Sequence, residues 1–473
     1  MKATSLPVNR RQFLSTAATA ATALTILPRH VLGGPRFVPP SEKVNIAIVG
    51  AGGQGRTNMR ELFRHADAQV IAVADPIEHE DLEAFYFRGV AGRSPVKAEA
   101  EKHYGQKTPN FKVAAYEDFR LMLEKEKAID AIVCATPDHL HAYVSVLAMR
   151  AGKHVYCEKP LTHSVWEARL VARVAKETGV ATQMGNQGHS GEGIRQTYEW
   201  IHAGVIGPVR EVHAWTSASR WNKKYYAGKP PAEPLPAGVN WDLWVGPRDP
   251  KAYPYSSAYT PVTWRDYWAF GTAPIGDFFC HNFDAPCWAL DLTAPTSIEA
   301  YGAGGVDAEM APPGGIYYYE FPARGAMPPV KFTWYDGGMR PPRPAGLEPE
   351  DQLGAGGNGT LFIGDKGMIT CPGWAGDPRL LPGSRMDDFQ RPPKTLPRSK
   401  GHHRDWIDAC KGSPKPSANF EYGAALTEMG LLGLVALRVG KKMEWDAAAM
   451  KSPNCPEADK YLQGSYRAGW QIA

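Results

Sequence analysis

From Lys43 onward, short apolar runs alternate with stretches whose apolar residues recur every three or four positions. The runs Val44–Val49, Val70–Ala74, Ala131–Cys134, His154–Cys157 and Ala181–Gly185 have the length and continuity of strands buried on both faces. Between them, Met59/Leu62/Phe63, Leu140/Val144/Leu147 and Trp166/Leu170/Val174 each give a helix one apolar face. Strand and helix in strict alternation predict βαβ units, hence a doubly wound α/β fold with a parallel sheet ending near Asn186.

Past Gly188 the rhythm changes. Strand-like runs at Val209–Ser217, Ser297–Gly302, Ile316–Phe321, Val330–Trp334 and Thr360–Ile363 predict a second, mainly antiparallel or mixed open sheet in an α+β domain. The Pro/Gly/Trp-rich stretches Lys229–Tyr259 and Gly337–Gly359 exceed ordinary connections, so they are expected to form active-site walls or oligomer contacts. Helical period returns at His403–Cys410 and Ala424–Val439. At 473 residues two such domains are expected, divided as 41–186 and 187–473 behind a leader of residues 1–40.

The leader changes the picture most. Arg10-Arg11 precedes an Ala/Thr-rich apolar stretch from Ser15 to Leu27 that carries no acidic residue and is too short to span a bilayer. This resembles a twin-arginine (Tat) export signal, so the Tat machinery is an expected partner and the mature protein is expected outside the cytoplasm, in the periplasm or an equivalent compartment. A chance Arg pair or an uncleaved anchor is the alternative. The seven cysteines are odd in number and lack C-x-x-C spacing, which argues against a zinc or redox motif. Because a Tat substrate folds in the reducing cytoplasm, free and mostly buried thiols are expected despite export. The formal charge of +4, with no basic block beyond the leader, disfavours nucleic acid as a partner.

The strand Val44–Val49 runs directly into Gly50-Ala51-Gly52-Gly53-Gln54-Gly55, followed by a helix-like segment. In G-x-G-x-x-G, Gly50 would allow the tight turn, Gly52 the approach of a pyrophosphate, and Gly55 close packing of helix on strand, with Gly53 and Gln54 opening the helix. Asp75 ends the next strand, 20 residues after Gly55, where a carboxylate can accept the adenosine ribose hydroxyls and repel a 2′-phosphate. Dinucleotide binding is therefore expected, with NAD preferred over NADP.

Further segments carry a family resemblance. Ala135-Thr136-Pro137-Asp138-His139-Leu140-His141, the strand-ending Cys157-Glu158-Lys159-Pro160, Gly185-Asn186-Gln187-Gly188-His189-Ser190 and Gly276-Asp277-Phe278-Phe279-Cys280-His281-Asn282-Phe283-Asp284 resemble the glucose-fructose oxidoreductase, inositol dehydrogenase and rhizopine-catabolism (Gfo/Idh/MocA) family, most of all its exported branch. The resemblance implies a Rossmann domain followed by an oligomerising α+β domain, a dimer or tetramer, and a sugar, polyol or cyclitol substrate between the domains. It implies Lys159, Asp277 and His281 as catalytic residues. Thr136, Pro137, His141, Glu158, Lys159 and Asn186 would join the glycine turn around the cofactor, and His189, Trp264, Arg265 and Asp284 are candidates for the substrate side. No metal is implied: His139 and His141 with Asp138 suggest a metal pair only superficially. Pro286, five residues after His281, should end or kink the helix carrying the acid and base. Arg220–Tyr226 matches no pattern.

Read as chemistry, oxidation of a carbinol needs a hydride acceptor and a base. His281 has an intrinsic pKa near working pH (~6.5), and Asp277 one helical turn earlier is expected to orient the imidazole and favour its cation. Lys159 would hold the oxygen. Such a site serves an NAD-dependent dehydrogenase. It serves equally a redox-neutral glycosidase or epimerase that works through a transient keto-sugar, and export, by removing the nucleotide pool, would favour a tightly retained cofactor. A non-catalytic sugar-binding relative is disfavoured because all three catalytic positions are filled.

Overall fold

The computed structural model describes residues 38–222 and 228–472. The twin arginine and Lys223–Tyr226 lie outside them.

Six strands form one sheet: β1 (Val44–Val49), β2 (Ala68–Ala74), β5 (Ala114–Tyr116), β6 (Ala131–Cys134), β7 (His154–Cys157) and β8 (Thr182–Met184). Every pairing is parallel, and the order β5-β2-β1-β6-β7-β8 is that of a doubly wound fold whose direction reverses beside β1. The five expected strands are present within two residues. β5 was not anticipated, being three residues long and bounded by charged segments. Also unanticipated is a small antiparallel hairpin, β3 (Glu80–Asp81) with β4 (Val90–Ala91), inserted after β2.

The helices between these strands are α1 (Gly53–Leu62), α2 (Arg93–Gly105), α3 (Phe119–Lys125), α4 (Asp138–Arg150) and α5 (Val165–Thr178). α5 shows why such a segment starts and stops where it does. Ser164 and Glu167 exchange backbone and side-chain hydrogen bonds as a capping box, and Gly179 ends the helix in the left-handed region.

The second sheet has eight strands: β9 (Val209–Trp215), β10 (Ser297–Gly302), β11 (Gly315–Phe321), β12 (Val330–Tyr335), β13 (Gly359–Gly364), β14 (Gly367–Pro372), β15 (Arg379–Leu381) and β16 (Met443–Glu444). All neighbours are antiparallel except β12 and β9. The rest of the helical layer is α6 (Glu192–His202), α7 (Trp241–Val245), α8 (Ala273–Asn282), α9 (Asp284–Ala289), α10 (His402–Cys410) and α11 (Phe420–Val439). α11 is long and apolar enough to cross a membrane by length and composition, yet it is mostly buried against α5, α8 and β10 at the centre of the main core. α10 returns to the parallel sheet, where Trp406 and Ile407 join Ile46, Ile48, Val133 and Tyr156 in a second core.

The two long stretches behave differently. Gly337–Gly359 folds over its own sheet, with Met339, Leu347 and Leu353 against Trp215, Tyr335 and Leu361. Lys229–Tyr259 buries Trp241, Trp244 and Tyr259 with Ile77 and is tied to the chain after β2 by Glu78 N–H to Gly238 O (2.8 Å) and Asn240 N–H to Pro76 O (2.9 Å). All seven cysteines are free, and six of them are buried.

Candidate active site

Three loops at the carboxyl ends of β1, β6 and β7 meet beside the reversal point of the parallel sheet. The first is the glycine turn. Gly50 has φ +87°, and a Cβ there would sit 2.6 Å from the backbone of Ala135 and Thr136. A Cβ on Gly55 would fall 1.9 Å from Gly50 O, so both positions require glycine for conformation and close approach. Gly52 caps α1 without any side-chain bond, leaving the first-turn N–H groups open to an anion. Gly53 has a different reason: a Cβ would meet the ring of Phe87, at the tip of the β3–β4 hairpin, at 2.1 Å.

Asp75 directly follows β2 under this turn. Its Oδ2 accepts Ala51 N–H at 2.6 Å and its Oδ1 accepts Ile77 N–H at 2.7 Å. Burial outweighs these bonds and raises its carboxyl to about 6.

The second and third loops are clamped together by His141. Its Nε2 lies 2.9 Å from Thr136 O and its Nδ1 2.7 Å from Pro160 O, so the residue fixes the spacing between Thr136-Pro137 and Lys159-Pro160. Glu158 is held from the other side: Oε1 accepts the side-chain amides of Asn58 (2.9 Å), Gln54 (3.1 Å) and Gln187 (3.4 Å). One cavity of about 120 Å³ is lined by Gly50, Gly52, Gly53, Gln54, Asp75, Thr136, Pro137, His141, Glu158, Lys159, Trp264 and Arg265, with Glu80, Tyr86, Phe87 and Thr260 completing the wall.

At its inner end Lys159 is ion-paired with Asp277 on α8 and donates to the backbone oxygen of the same residue at 3.1 Å. Arg265 Nε stands 3.6 Å from the other oxygen of Asp277, its guanidinium over the Trp264 ring at 4.2 Å. Val262, on the cavity rim, has φ +67°, a rare and strained conformation for a β-branched residue. Burial opposes the charge on Asp277, but Lys159 and Arg265 prevail and hold its carboxyl down at about 2. Burial also opposes the Lys159 cation, and Asp277 more than restores it.

His281 departs from expectation. Burial and the charge of Lys159 outweigh Asp277 and lower the imidazole to about 3, so the ring is neutral, with Nδ1 buried and without a partner among the described residues. The one-turn spacing on α8 is present, but Asp277 gives its carboxylate to Lys159 and Arg265 instead of stabilising an imidazolium. α8 does end at Asn282, and Pro286 falls in the first turn of α9, where the missing N–H costs nothing.

Asn186, His189, Asp277, His281 and Asp284 are not among the residues that line the cavity. Asp284 accepts Asn186 Nδ2 (2.8 Å), the Tyr422 hydroxyl (2.5 Å) and His189 Nδ1 (2.9 Å), all at 1% exposure or less except Tyr422. This network joins β8 to α9 and α11. Asp138 accepts Thr272 Oγ1 at 2.6 Å while the nitrogens of His139 face the carbonyls of Trp244 and Phe270, so the side chains that suggested a metal pair are turned to separate partners. Cys134, His141 and Cys157 do approach one another within 4.8 Å, but both His141 nitrogens already face carbonyls. Sequence reading missed Glu80, Tyr86 and Thr260; only the charged interruption after β2 hinted at an insertion there.

The fit to a dinucleotide rests on the glycine cradle, the uncapped first turn of α1 and the buried Asp75. Comparison with known proteins agrees with that geometry. Residues 44–186 match the oxidoreductase family's NAD-binding Rossmann fold, and residues 191–308 match the same family's C-terminal alpha/beta domain. A glycosyl hydrolase family 109 protein of Stenotrophomonas maltophilia is 26% identical over 235 residues, which is 50% of this chain and 47% of that protein. An inositol 2-dehydrogenase of Rubrobacter xylanophilus is 31% identical over 140 residues, 29% of this chain and 33% of the relative. The chain spans less than half the length of the curated relatives it matches. The WlbA dehydrogenase of Bordetella pertussis, solved with NADH and UDP-GlcNAcA, superposes with a TM-score of 0.54 at 17% identity, covering 85% of this chain and 99% of that one. With both halves of the family matched in order over more than half its length, the chain belongs to the Gfo/Idh/MocA oxidoreductase family.

Proposed function

We propose that the protein is an NAD-dependent oxidoreductase acting on a hydroxyl of a sugar, polyol or cyclitol. The observation that carries this reading is the Lys159–Asp277–Arg265 cluster at the end of the cavity that opens on the glycine turn. Two cations, Lys159 and Arg265, flank the Asp277 carboxylate there. Cations in that position stabilise an oxygen that gains negative charge as its proton leaves. Lys159 holds that oxygen, Asp277 keeps the ammonium charged and aimed, and neutral His281 takes the proton. The depression of His281 comes partly from Lys159, so negative charge growing on the reacting oxygen offsets that cation and restores basicity as the reaction proceeds. A bound nicotinamide supplies the hydride acceptor.

A redox-neutral glycosidase or epimerase is the second reading, favoured by one observation, the glycosyl hydrolase relative matched over half of the chain. Screening sugars, cyclitols and glycosides while following both nucleotide absorbance and product mass separates the two. Net reduced nucleotide supports the dehydrogenase; mass change without it supports the second.

The assignments that belong to the whole protein follow from the same reading. Residues 1–40 act as a Tat leader, 41–186 hold the cofactor and 187–473 the substrate. The mature protein works in the periplasm or its equivalent with a cofactor loaded before export, and Arg10→Lys with Arg11→Lys leaves it in the cytoplasm. The chain assembles as a homo-oligomer, a reading supported by exposed Tyr301 and Tyr318, which pack edge to face on the outer side of β10 and β11. Light scattering of the purified protein tests it: a dimer or tetramer is expected, and a monomer overturns it.

A further inference from the structure

Beside Asp75, the cavity under the glycine turn presents the carboxylate of Glu80. Glu80 opens β3, five residues after Asp75, and both line the same wall. Their hydrogen bonding differs. Each oxygen of Asp75 already accepts a backbone N–H. Among the described residues Glu80 is engaged through one oxygen only: Oε1 accepts Thr260 Oγ1 at 2.7 Å, while Oε2 takes no protein donor and lies 3.8 Å from where a Cβ on Gly52 would stand. The two acids therefore bracket Ala51-Gly52, the segment of the turn that a dinucleotide approaches most closely.

Glu80 is held there by construction. The chain from Pro76 to Glu78 is stitched to residues 238–240 by two backbone hydrogen bonds and an Ile77–Val239 bridge, and Thr260 reaches in from just past the end of that long segment. An acid serving only to tie hairpin to loop would need the one oxygen that Thr260 occupies. The other points into the cavity, where burial and the neighbouring Asp75 raise the carboxyl to about 7.

We infer that Glu80 is a second reader of the cofactor's adenosine ribose, accepting a ribose hydroxyl through Oε2 and, together with Asp75, excluding a 2′-phosphate. The inference rests on the dinucleotide reading above and extends it to a residue outside the G-x-G-x-x-G and strand-end positions. It follows that Asp75→Asn alone leaves substantial rejection of NADP.

The test is equilibrium dialysis of the full-length protein against equimolar NAD and NADP, with bound nucleotides quantified by mass spectrometry and no substrate present. The wild-type protein should hold mainly NAD. Glu80→Gln, which keeps size and the bond to Thr260, should lower the bound NAD:NADP ratio by about tenfold, the scale of one charge-assisted hydrogen bond. Asp75→Asn with Glu80→Gln should bring the ratio near unity. Glu80→Asp retains the charge but withdraws it by one carbon, so it should weaken NAD while still excluding NADP. A ratio in Glu80→Gln within about twofold of wild type, or Glu80→Asp binding NAD as tightly as wild type, makes Glu80 a bridging acid only and overturns the inference. Wild-type protein that binds neither nucleotide sinks the dinucleotide reading itself, a different result from an unchanged ratio.

Discussion

Asp277 pairs with Lys159 across 118 residues of sequence, although His281 lies one turn away on its own helix. The choice follows from electrostatics: a buried carboxylate gains more from a full cation than from an imidazole that burial keeps neutral. It also divides the labour. The lysine is the charged group of the site, and the histidine is its uncharged acceptor.

Lys159→Ala should therefore lower turnover by at least about two orders of magnitude while leaving nucleotide binding nearly unchanged. The comparison is kcat against the bound nucleotide fraction. Turnover that survives the change removes Lys159 from the chemistry.

Because His281 is held near 3, it does not titrate between pH 5 and 8 in the free enzyme. The expected profile of log kcat/KM for the sugar, taken at saturating NAD, carries no His281 limb near the ordinary histidine value. A limb near 6.5 that disappears in His281→Gln would show that the ring is poised at working pH after all.

Asp277 contributes to stability with a definite sign. Its folded pKa, about 2, lies below the unfolded value, so the contribution is complete above about pH 4 and is lost as pH falls from there through 2. Asp277→Asn leaves Lys159 and Arg265 facing each other without a counter-charge. The melting temperature should fall by several degrees at pH 7, with a smaller difference from wild type at pH 3. Equal melting temperatures at pH 7 would contradict the pairing.

Asp75→Ala should weaken NAD and relax discrimination against NADP. The acid is raised to about 6, so it is charged above that pH and neutral below it. Rejection of NADP by the wild-type protein should accordingly ease as pH drops from 7 to 5, and titration of both nucleotides at the two pH values checks this. Discrimination independent of pH would mean that shape, not charge, excludes the phosphate.

Phe87 lies against Gly53 on the cavity wall, beside the turn that a dinucleotide approaches. Phe87→Ala should speed both association and release of NAD in stopped-flow fluorescence, by about tenfold in release. Unchanged rates would remove the hairpin from the entry path.

Much of this was legible in the sequence because it is local. Strands β1, β6 and β7 are apolar runs that only a sheet covered on both faces accommodates, and the loops that follow them carry the glycine turn, Thr136-Pro137 and Lys159-Pro160 in plain view. What escaped was set by distant partners. The protonation of His281 depends on burial and on a lysine in the loop after β7, and the site of Glu80 depends on Thr260, 180 residues away. Asn186, His189 and Asp284 have the composition of a ligand site, yet they satisfy one another between β8, α9 and α11. Residue type alone does not distinguish a donor kept for a ligand from one already bound to a neighbour.

The return of α10 to the parallel sheet governs the order of events during synthesis. Trp406 and Ile407 close the core around Ile46, Ile48 and Tyr156, so the amino-terminal half cannot complete its interior while it emerges from the ribosome. Some four hundred residues must be translated before the helix that seals the first strand is available. Completion of the nucleotide domain thereby waits until α10 has been made, and any step that demands a finished domain comes after it.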